Sequence, residues 1–293
     1  MAEGRIIKAI SGFYYVQTDD AMYECRGRGV FRKKKITPLV GDFVTFEMTD
    51  HQKGYILEIK PRSNQLNRPP IANIDQAVIV CSAKQPDFSP SLLDKFLVMV
   101  EANYIKPIIF ITKMDKVTGQ EEVEMKQYQQ DYTKIGYPVE LVVSQEGSDL
   151  SHLGDYFKGQ VTVIAGQSGV GKSSLLNAIN PSLLIKTDEI SASLGRGRHT
   201  TRHVELLQIN DGLVADTPGF SSLDFNEIEV QELGDCFPEM LKIKDKCKFR
   251  GCLHHREPGC AVKEAVENND IKHYRYQNYM TFLNDIQSRK PRY

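Results

Sequence analysis

A glycine-rich segment at residues 166–173 constrains the fold of this chain more than any other feature. It reads Gly166-Gln-Ser-Gly-Val-Gly171-Lys172-Ser173 and fits the pattern G-x-x-x-x-G-K-[ST]. An apolar stretch at residues 160–165 precedes it, and a segment with helical spacing of apolar residues, 173–179, follows it. Glycines let backbone N–H groups turn towards phosphate oxygens, and the helix N-terminus adds partial positive charge. The segment therefore predicts a strand, a phosphate-binding loop and a helix, in that order.

Specific contacts follow from the chemistry of this loop. We expect Lys172 to reach the β- and γ-phosphates of a nucleotide and the Ser173 hydroxyl to coordinate Mg²⁺. The residues expected to line the bound nucleotide here are Gly166, Gln167, Ser168, Gly169, Val170, Gly171, Lys172, Ser173 and Ser174.

A second motif, Asp216-Thr-Pro-Gly219, follows a short apolar strand. An aspartate at a strand end facing a phosphate loop holds the Mg²⁺ sphere, and Gly219 leaves space for its N–H to approach the γ-phosphate. Between the two motifs lies a Gly/Arg-rich loop at residues 195–202 that contains Thr200 and Thr201. A hydroxyl from one of these threonines can order such a loop by meeting Mg²⁺. The sequence leaves open which threonine does so.

The base of the nucleotide is predicted by Thr112-Lys113-Met114-Asp115, which closes an apolar strand at residues 107–111. This tetrapeptide resembles the [NT]-K-x-D motif, in which the aspartate accepts hydrogen bonds from guanine N1–H and the exocyclic amine. Adenine offers no such pair of donors, so the carboxylate would stay unpaired. The expected ligands are therefore GTP and GDP. An ATPase in which residues 112–115 match by accident remains the alternative, and base preference separates the two.

The order of these motifs is permuted relative to ordinary GTPases, because residues 112–115, which would come last, precede the phosphate loop. No second match to [NT]-K-x-D follows Gly219. The strands that such a domain needs lie upstream instead, at residues 74–81, 107–111 and 139–143. Alternating strands and helices predict a mostly parallel sheet covered on both faces. We therefore expect a circularly permuted α/β P-loop GTPase domain at residues 70–225.

The chain before this domain has a different pattern. Short strands at residues 5–10, 13–16, 42–47 and 55–59 are punctuated by glycines, without an intervening helical period. Several short strands in so small a segment predict an OB-like β-barrel at residues 1–65, because closure removes exposed strand edges. Residues 26–35 would form its basic loop, and residues 60–70, with three prolines, are predicted to be a linker.

A cysteine cluster marks the end of the chain, where the pattern becomes helical. Cys247, Cys252, His254 and Cys260 supply three thiolates and one imidazole within fourteen residues. Such a set makes a closed tetrahedral site with no position for water, which is typical of a structural Zn²⁺. His255 is the competing ligand. Residues 226–293 are thus predicted to form a helical zinc-binding domain, with the basic run at residues 242–250 as an RNA-facing surface.

Composition sets limits on the partners. The chain has 293 residues and a net charge of −1, so any contact with nucleic acid depends on local basic patches. No apolar run approaches the roughly 18 residues of a membrane span, and residues 1–10 lack the apolar core of a secretory signal. We expect a cytoplasmic monomer without a membrane partner.

The three segments in this order resemble the circularly permuted GTPases, and most closely the ribosome small subunit-dependent GTPase A family. The resemblance covers nearly the whole chain, and it extends to the zinc motif, where it favours His254 over His255. It implies binding to the small ribosomal subunit and its rRNA late in maturation, with GTP hydrolysis stimulated by that subunit. An RNA-binding module whose nucleotide site is a switch with negligible turnover is a further alternative. Neither the rRNA helices contacted, nor the trigger for release, nor regulation by guanosine tetraphosphate follows from the sequence.

Some positions depart from general GTPase patterns. Thr112 stands where many GTPases have asparagine, whose amide ties the guanine to the phosphate loop. The Thr112 hydroxyl is expected to take over part of this role. Ser144 is assigned to the position that backs the guanine. Phe220 follows Gly219, where a water-orienting glutamine often lies, and an apolar side chain cannot orient water. His199 is our candidate for that catalytic role, with His203 second.

Overall fold

The structure is a computed structural model that describes residues 1–29, 31, 36–49, 52–143, 150–181, 204–216, 225–226 and 228–289. The strands are β1 (Ala2–Ile10), β2 (Phe13–Gln17), β3 (Met22–Gly27), β4 (Phe43–Met48), β5 (Lys53–Ile59), β6 (Gln65–Asn67), β7 (Pro70–Ala72), β8 (Gln76–Ser82), β9 (Lys106–Thr112), β10 (Val139–Leu141), β11 (Val161–Ala165), β12 (Val204–Ile209) and β13 (Gly212–Asp216). The α-helices are α1 (Pro90–Glu101), α2 (Gln120–Ile135), α3 (Lys172–Ile179), α4 (Pro238–Leu241), α5 (Ala261–Glu267) and α6 (His273–Gln287).

Contacts divide the chain into two compact units. The first contains Met1–Ala77, Gly147–Ser168 and Lys172–Ser221, and the second contains Val78–Glu146, Gly169–Gly171 and Ser222–Tyr293. This division follows contacts and not chain order, so it does not test the predicted boundaries at residues 1–65, 70–225 and 226–293. Those boundaries remain a prediction.

The first unit begins with a closed five-stranded barrel, as the sequence predicts. Its strands pair in the order β1-β2-β3-β5-β4, and β4 returns to β1. Every pairing is antiparallel except that of β3 with β5. Fully buried apolar side chains fill the interior, among them Ile6, Val16, Val44, Phe46 and Ile56. Closure leaves the barrel with one core and few free edges.

The same unit joins this barrel to a hairpin. Strands β12 and β13 pair antiparallel around Asn210 and Asp211, whose φ angles of 44° and 60° fit a tight two-residue turn. Strand β1 pairs with β12 antiparallel, and the Lys8 ammonium lies 3.0 Å from the Glu205 carboxylate across that pairing. On the other side, β13 pairs parallel with β11.

The second unit holds the strands that the permutation displaces upstream. Its strand order is β10-β9-β8, with β10 parallel to β9. Ser89 and Pro90 fix the start of helix α1: the Ser89 side chain accepts a hydrogen bond from the Leu92 N–H, and Pro90 occupies the first turn. Strand β8 is buried along its whole length, as expected for a strand covered on both faces.

The helices at the end of the chain belong to this second unit and pack around an apolar cluster. Its most deeply buried members include Val98 of α1, Phe237, and Tyr279 and Leu283 of α6. Within the residues that the structure describes, no helix has the length and apolar character required to cross a membrane.

Two sequence predictions were wrong in part in the barrel region. Residues 22–27 form β3, so Arg26, at the start of the predicted basic loop 26–35, belongs to a strand and lies 4.5 Å above the Phe13 ring, while residues 30 and 32–35 of that loop lie outside the described residues. Residues 65–72 form the short hairpin β6–β7 instead of a plain linker. In both cases pairing with a neighbouring strand outweighed a composition that is typical of loops.

Candidate functional site

The phosphate loop connects β11 to α3, as predicted. In the first unit, Gly166 has a φ of 143°, a backbone conformation that residues other than glycine rarely adopt. The Lys172 ammonium donates to the Gly166 carbonyl at 2.9 Å and to the Gln167 carbonyl at 2.8 Å. Burial lowers the pKa of Lys172. The lysine thus lies against the loop that it is expected to serve, while Gln167 and Ser168 face outward and Ser173 is buried.

The middle of the loop, Gly169–Gly171, belongs to the second unit. Gly169 and Gly171 have φ angles of 80° and 95°, so both positions require glycine for conformational reasons. Val170 between them is buried. The loop is thereby held by one apolar side chain, while the flanking glycines leave the backbone accessible.

The predicted guanine motif lies beside this middle part of the loop. Thr112 is the last residue of β9. Its hydroxyl lies 2.6 Å from the Val170 carbonyl and 3.0 Å from the Cys81 carbonyl. Its single proton serves one of these acceptors at a time. Thr112 therefore contacts the phosphate loop directly, which is the part that we expected its hydroxyl to take over from asparagine.

Lys113 makes the second contact between these segments. It adopts a left-handed backbone conformation, with φ at 59°, and its ammonium donates to the Gly169 carbonyl at 2.6 Å. The same ammonium donates to the Gln85 carbonyl. Burial lowers the pKa of Lys113, and the neighbouring Lys116 acts in the same direction. Asp115 follows within a short 3-10 helix and is half-buried.

Gln85 is a supporting residue that the sequence did not indicate. Its main-chain carbonyl accepts from Lys113, and its side-chain oxygen accepts from the Lys116 ammonium at 3.0 Å. The loop that carries Gln85 is brought to Lys113 because β8 and β9 are neighbours. No local motif marks it, since the contact involves a backbone group that every residue has.

Several predicted residues lie outside the described part of the chain. These are Ser144, His199, Thr200, Thr201, His203 and Gly219. For Asp216 the backbone is described: it ends β13 opposite Glu205. The assignments of these residues remain predictions.

The four predicted metal ligands come together in the second unit. The sulfur atoms of Cys247, Cys252 and Cys260 and a ring nitrogen of His254 all lie within 4.8 Å of one another. His254 Nδ1 lies 3.3 Å from the Cys260 sulfur and 3.6 Å from the Cys247 sulfur. Tetrahedral zinc with these ligand types separates its ligand atoms by about 3.5–3.8 Å. The cluster fits Zn²⁺, with Nδ1 as the imidazole ligand.

The loop around this cluster is stabilised by contacts from its own residues and from α6. His254 has a φ of 53°, in the left-handed region. The Glu257 carboxylate accepts from the backbone N–H groups of Leu253 and His255, each at 2.9 Å. The hydroxyls of Tyr276 and Tyr279 donate to the carbonyls of His254 and Leu253 at 2.7 Å. His255 thus contributes its backbone to the loop, while the ring of His254 joins the cysteines.

Burial keeps the ligand groups of this cluster uncharged when no cation is bound. Burial raises the pKa of the Cys252 thiol to about 12 and also raises the pKa of Cys260. These groups therefore carry negative charge only when a cation compensates it. Burial lowers the pKa of His254, which keeps its imidazole neutral, the form that binds a metal.

Comparisons with known proteins agree with this combination of parts. Residues 59–226 match the model of the family described as RsgA GTPase, and residues 3–56 match that of the RsgA N-terminal domain. The small ribosomal subunit biogenesis GTPase RsgA 2 of Oceanobacillus iheyensis is 62% identical over 293 residues, covering 100% of both chains. The RsgA protein of Bacillus subtilis is 57% identical over 298 residues, again covering 100% of both.

Solved structures give the same result. The crystal structure of YloQ, described as a circularly permuted GTPase, is 53% identical, with a TM-score of 0.86 over 100% of this chain and 97% of that one. YjeQ from Thermotoga maritima is 35% identical, with a TM-score of 0.86 over 98% and 99% of the two chains. The predicted circular permutation is confirmed by these matches. Fold, motifs and full-length similarity together show that this chain belongs to the RsgA family of GTPases.

Proposed function

We propose that this protein hydrolyses GTP when it is bound to the small ribosomal subunit and that it acts late in the maturation of that subunit. The observation that carries the nucleotide part is the contact of Thr112 and Lys113 with the carbonyls of Val170 and Gly169. Hydrogen bonds thereby link the guanine motif to the phosphate loop. Occupancy of the base site can then orient the phosphate loop.

Each residue has a specific role in this proposal. Asp115 accepts from guanine N1–H and the exocyclic amine, and Lys113 supports the base site from beside it. Backbone N–H groups of the loop and the Lys172 ammonium bind the phosphates. Ser173 and Asp216 would hold Mg²⁺, which would supply positive charge to the phosphates.

Hydrolysis also needs a group that orients the attacking water. The sequence places His199 and His203 in the loop between the phosphate motif and Asp216. We assign this role to His199, because an imidazole can accept a proton or a hydrogen bond near neutral pH. Substitution of each histidine by alanine, tested separately under stimulated conditions, identifies the residue.

The metal cluster has a structural role in the proposal. Its donor set provides four protein ligands and leaves no position for substrate. A bound Zn²⁺ would cross-link the irregular stretch at residues 247–260, which precedes α5. The partners are guanine nucleotides and the small subunit with its rRNA, and the protein acts as a cytoplasmic monomer.

The test is steady-state GTP hydrolysis by the purified full-length protein, with and without purified small subunits. ATP and large subunits are the controls. A strong increase in the GTP rate with small subunits alone supports the proposal. An unchanged rate with every ribosomal particle overturns the proposed partner, and tight GTP binding without turnover would favour a nucleotide-gated RNA-binding protein.

A further inference from the structure

The turn around the first metal ligand, Cys247, carries an exposed aromatic ring among cations. We call residues 246–250, Lys246-Cys247-Lys248-Phe249-Arg250, the basic turn. Lys246, Lys248 and Arg250 are exposed, and the Phe249 side chain is 45% exposed. The Lys248 ammonium lies 5.7 Å from the centre of the Phe249 ring. Cys247, in contrast, points its sulfur into the metal cluster.

These cations differ from the lysines just before them in the sequence. Lys242 donates to the Ile135 carbonyl at 3.0 Å, and Lys244 pairs with the Asp235 carboxylate at 2.7 Å. Within the described residues, the side chains of Lys246, Lys248 and Arg250 have no ion-pair partner. A single exposed phenylalanine is common on protein surfaces. A ring placed among three uncompensated cations is the combination that binds nucleic acid.

Main-chain hydrogen bonds and the neighbouring metal ligands hold the basic turn in place. The Lys248 N–H donates to the Gly259 carbonyl at 3.0 Å, and the Cys247 N–H donates to the Lys244 carbonyl at 3.1 Å. Cys247 and Cys252 anchor it to the metal cluster on either side. A ring presented by a segment that is already ordered loses little entropy on binding, which favours affinity.

A cavity adjoins the ring. It measures about 650 Å³, and its lining includes Lys248, Phe249 and Arg250 on the turn, together with Asp235 and Asp245. The metal ligands Cys247, Cys252 and His254 also line it, so the cavity takes in the metal site as well as the space beside the ring. The carboxylates of Asp235 and Asp245 disfavour a phosphate inside the cavity. They can, however, accept hydrogen bonds from the exocyclic amines of a base. The lining therefore suits a base beside the ring, with its phosphates on Lys248 and Arg250.

We propose that Phe249 stacks on an unpaired RNA base and that Lys248 and Arg250 bind the flanking phosphates. Double-stranded RNA does not fit, because its bases are stacked on each other and cannot be laid on a protein ring. That the RNA belongs to the small subunit rests on the proposed function. The stacking site itself is independent of GTP turnover.

The test uses the full-length protein and a fluorescein-labelled single-stranded RNA of about 12 nucleotides, with the same RNA annealed to its complement as comparison. Phe249→Ala is expected to weaken single-strand binding about 5- to 100-fold, from the usual contribution of base stacking. Phe249→Trp is expected to retain it. Tyr104→Ala removes another exposed aromatic side chain and is the matched control. Metal content and thermal unfolding of each variant establish that the segment is intact.

A salt series separates stacking from charge. Lys248→Ala and Arg250→Ala should each lower the slope of log Kd against log salt by about 0.7, while Phe249→Ala leaves the slope unchanged. Wild-type affinity of Phe249→Ala for the single strand, or equal binding of single and double strands, overturns the proposal.

Co-sedimentation with purified small subunits distinguishes this site from the proposed function. If the wild-type protein binds the oligonucleotide through Phe249 but does not sediment with the subunits, the proposed function fails and the stacking site stands. If Phe249→Ala loses the subunits but binds the oligonucleotide normally, the ring contacts a ribosomal protein and the RNA assignment is wrong.

Discussion

The Thr112 hydroxyl lies 2.6 Å from the Val170 carbonyl, although the two residues are 58 positions apart. The side chain is 1% exposed, so water cannot replace either of its two carbonyl partners. A hydroxyl with one proton thus joins the guanine motif to the phosphate loop, where an amide does so in many GTPases.

Thr112→Val keeps the shape of this side chain and removes the bond. We expect GDP to bind about tenfold more weakly and the free energy of unfolding to fall by about 1–3 kcal/mol, because a buried carbonyl loses its partner. Isothermal titration with GDP and urea unfolding measure the two effects. Thr112→Ser retains the hydroxyl and should behave as wild type; equal GDP affinity in the valine variant would refute the role.

Asp115→Asn tests base recognition. The amide cannot accept from both guanine donors, but its NH₂ group can donate to the 2-oxygen of xanthine. We expect GTP affinity to fall about a hundredfold or more, with XTP binding gained. Competition of XTP, GTP and ATP against a labelled nucleotide measures this. A variant that keeps its preference for GTP would show that another residue reads the base.

A buried ion cluster stabilises the second unit. Arg275 and Asp94 are 1% and 0% exposed and form an ion pair, and Arg275 Nε also donates to Glu239 at 2.7 Å. Arg275→Leu leaves both carboxylates without their cation, so we expect the free energy of unfolding to fall by about 3–5 kcal/mol. Chemical denaturation measures the change.

Lys126→Ala is the matched control for this ion pair. It breaks the exposed pair of Lys126 with Glu122, which should alter stability by no more than about 0.5 kcal/mol. Equal losses in Arg275→Leu and Lys126→Ala would show that the buried cluster contributes nothing specific.

Cys252→Ser tests the metal centre. A serine hydroxyl is a poor zinc ligand, so we expect zinc content to fall from about one per chain towards zero and thermal stability to fall with it. Cys236→Ser changes a buried cysteine outside the cluster and should retain its zinc. Metal analysis after dialysis measures both. Full zinc content in Cys252→Ser would remove this thiol from the ligand set.

Glu101 makes stability depend on pH. Burial raises its pKa, and the Glu239 carboxylate acts in the same direction. Because the pKa is higher in the folded chain, the resulting stabilisation is complete below the unfolded value of 4.5 and is lost as pH rises through the folded pKa. Glu101→Gln cannot lose a proton, so its unfolding free energy should fall less between about pH 5 and about pH 8. Urea unfolding of both proteins across this pH range measures the difference, and an equal fall in the two would refute the role of Glu101.

Local chemistry allowed much of this protein to be predicted from its residues. The phosphate loop follows from glycines at positions that need positive φ, and the start of α1 follows from Ser89 before Pro90. The metal cluster follows from cysteines and a histidine spaced closely enough to meet around one ion. The early position of the guanine motif indicated a circular permutation, because a sheet requires its strands whatever their order in the chain.

Only the tertiary structure decided the long-range contacts. The ion pair of Arg275 with Asp94 joins residues 181 positions apart, and the β1–β12 pairing joins the barrel to the hairpin. The carbonyl of Gln85 that holds Lys113 belongs to the backbone and has no sequence signature. Local patterns report on neighbours a few residues apart, whereas these contacts depend on which strands and helices become neighbours when the chain buries its apolar surface.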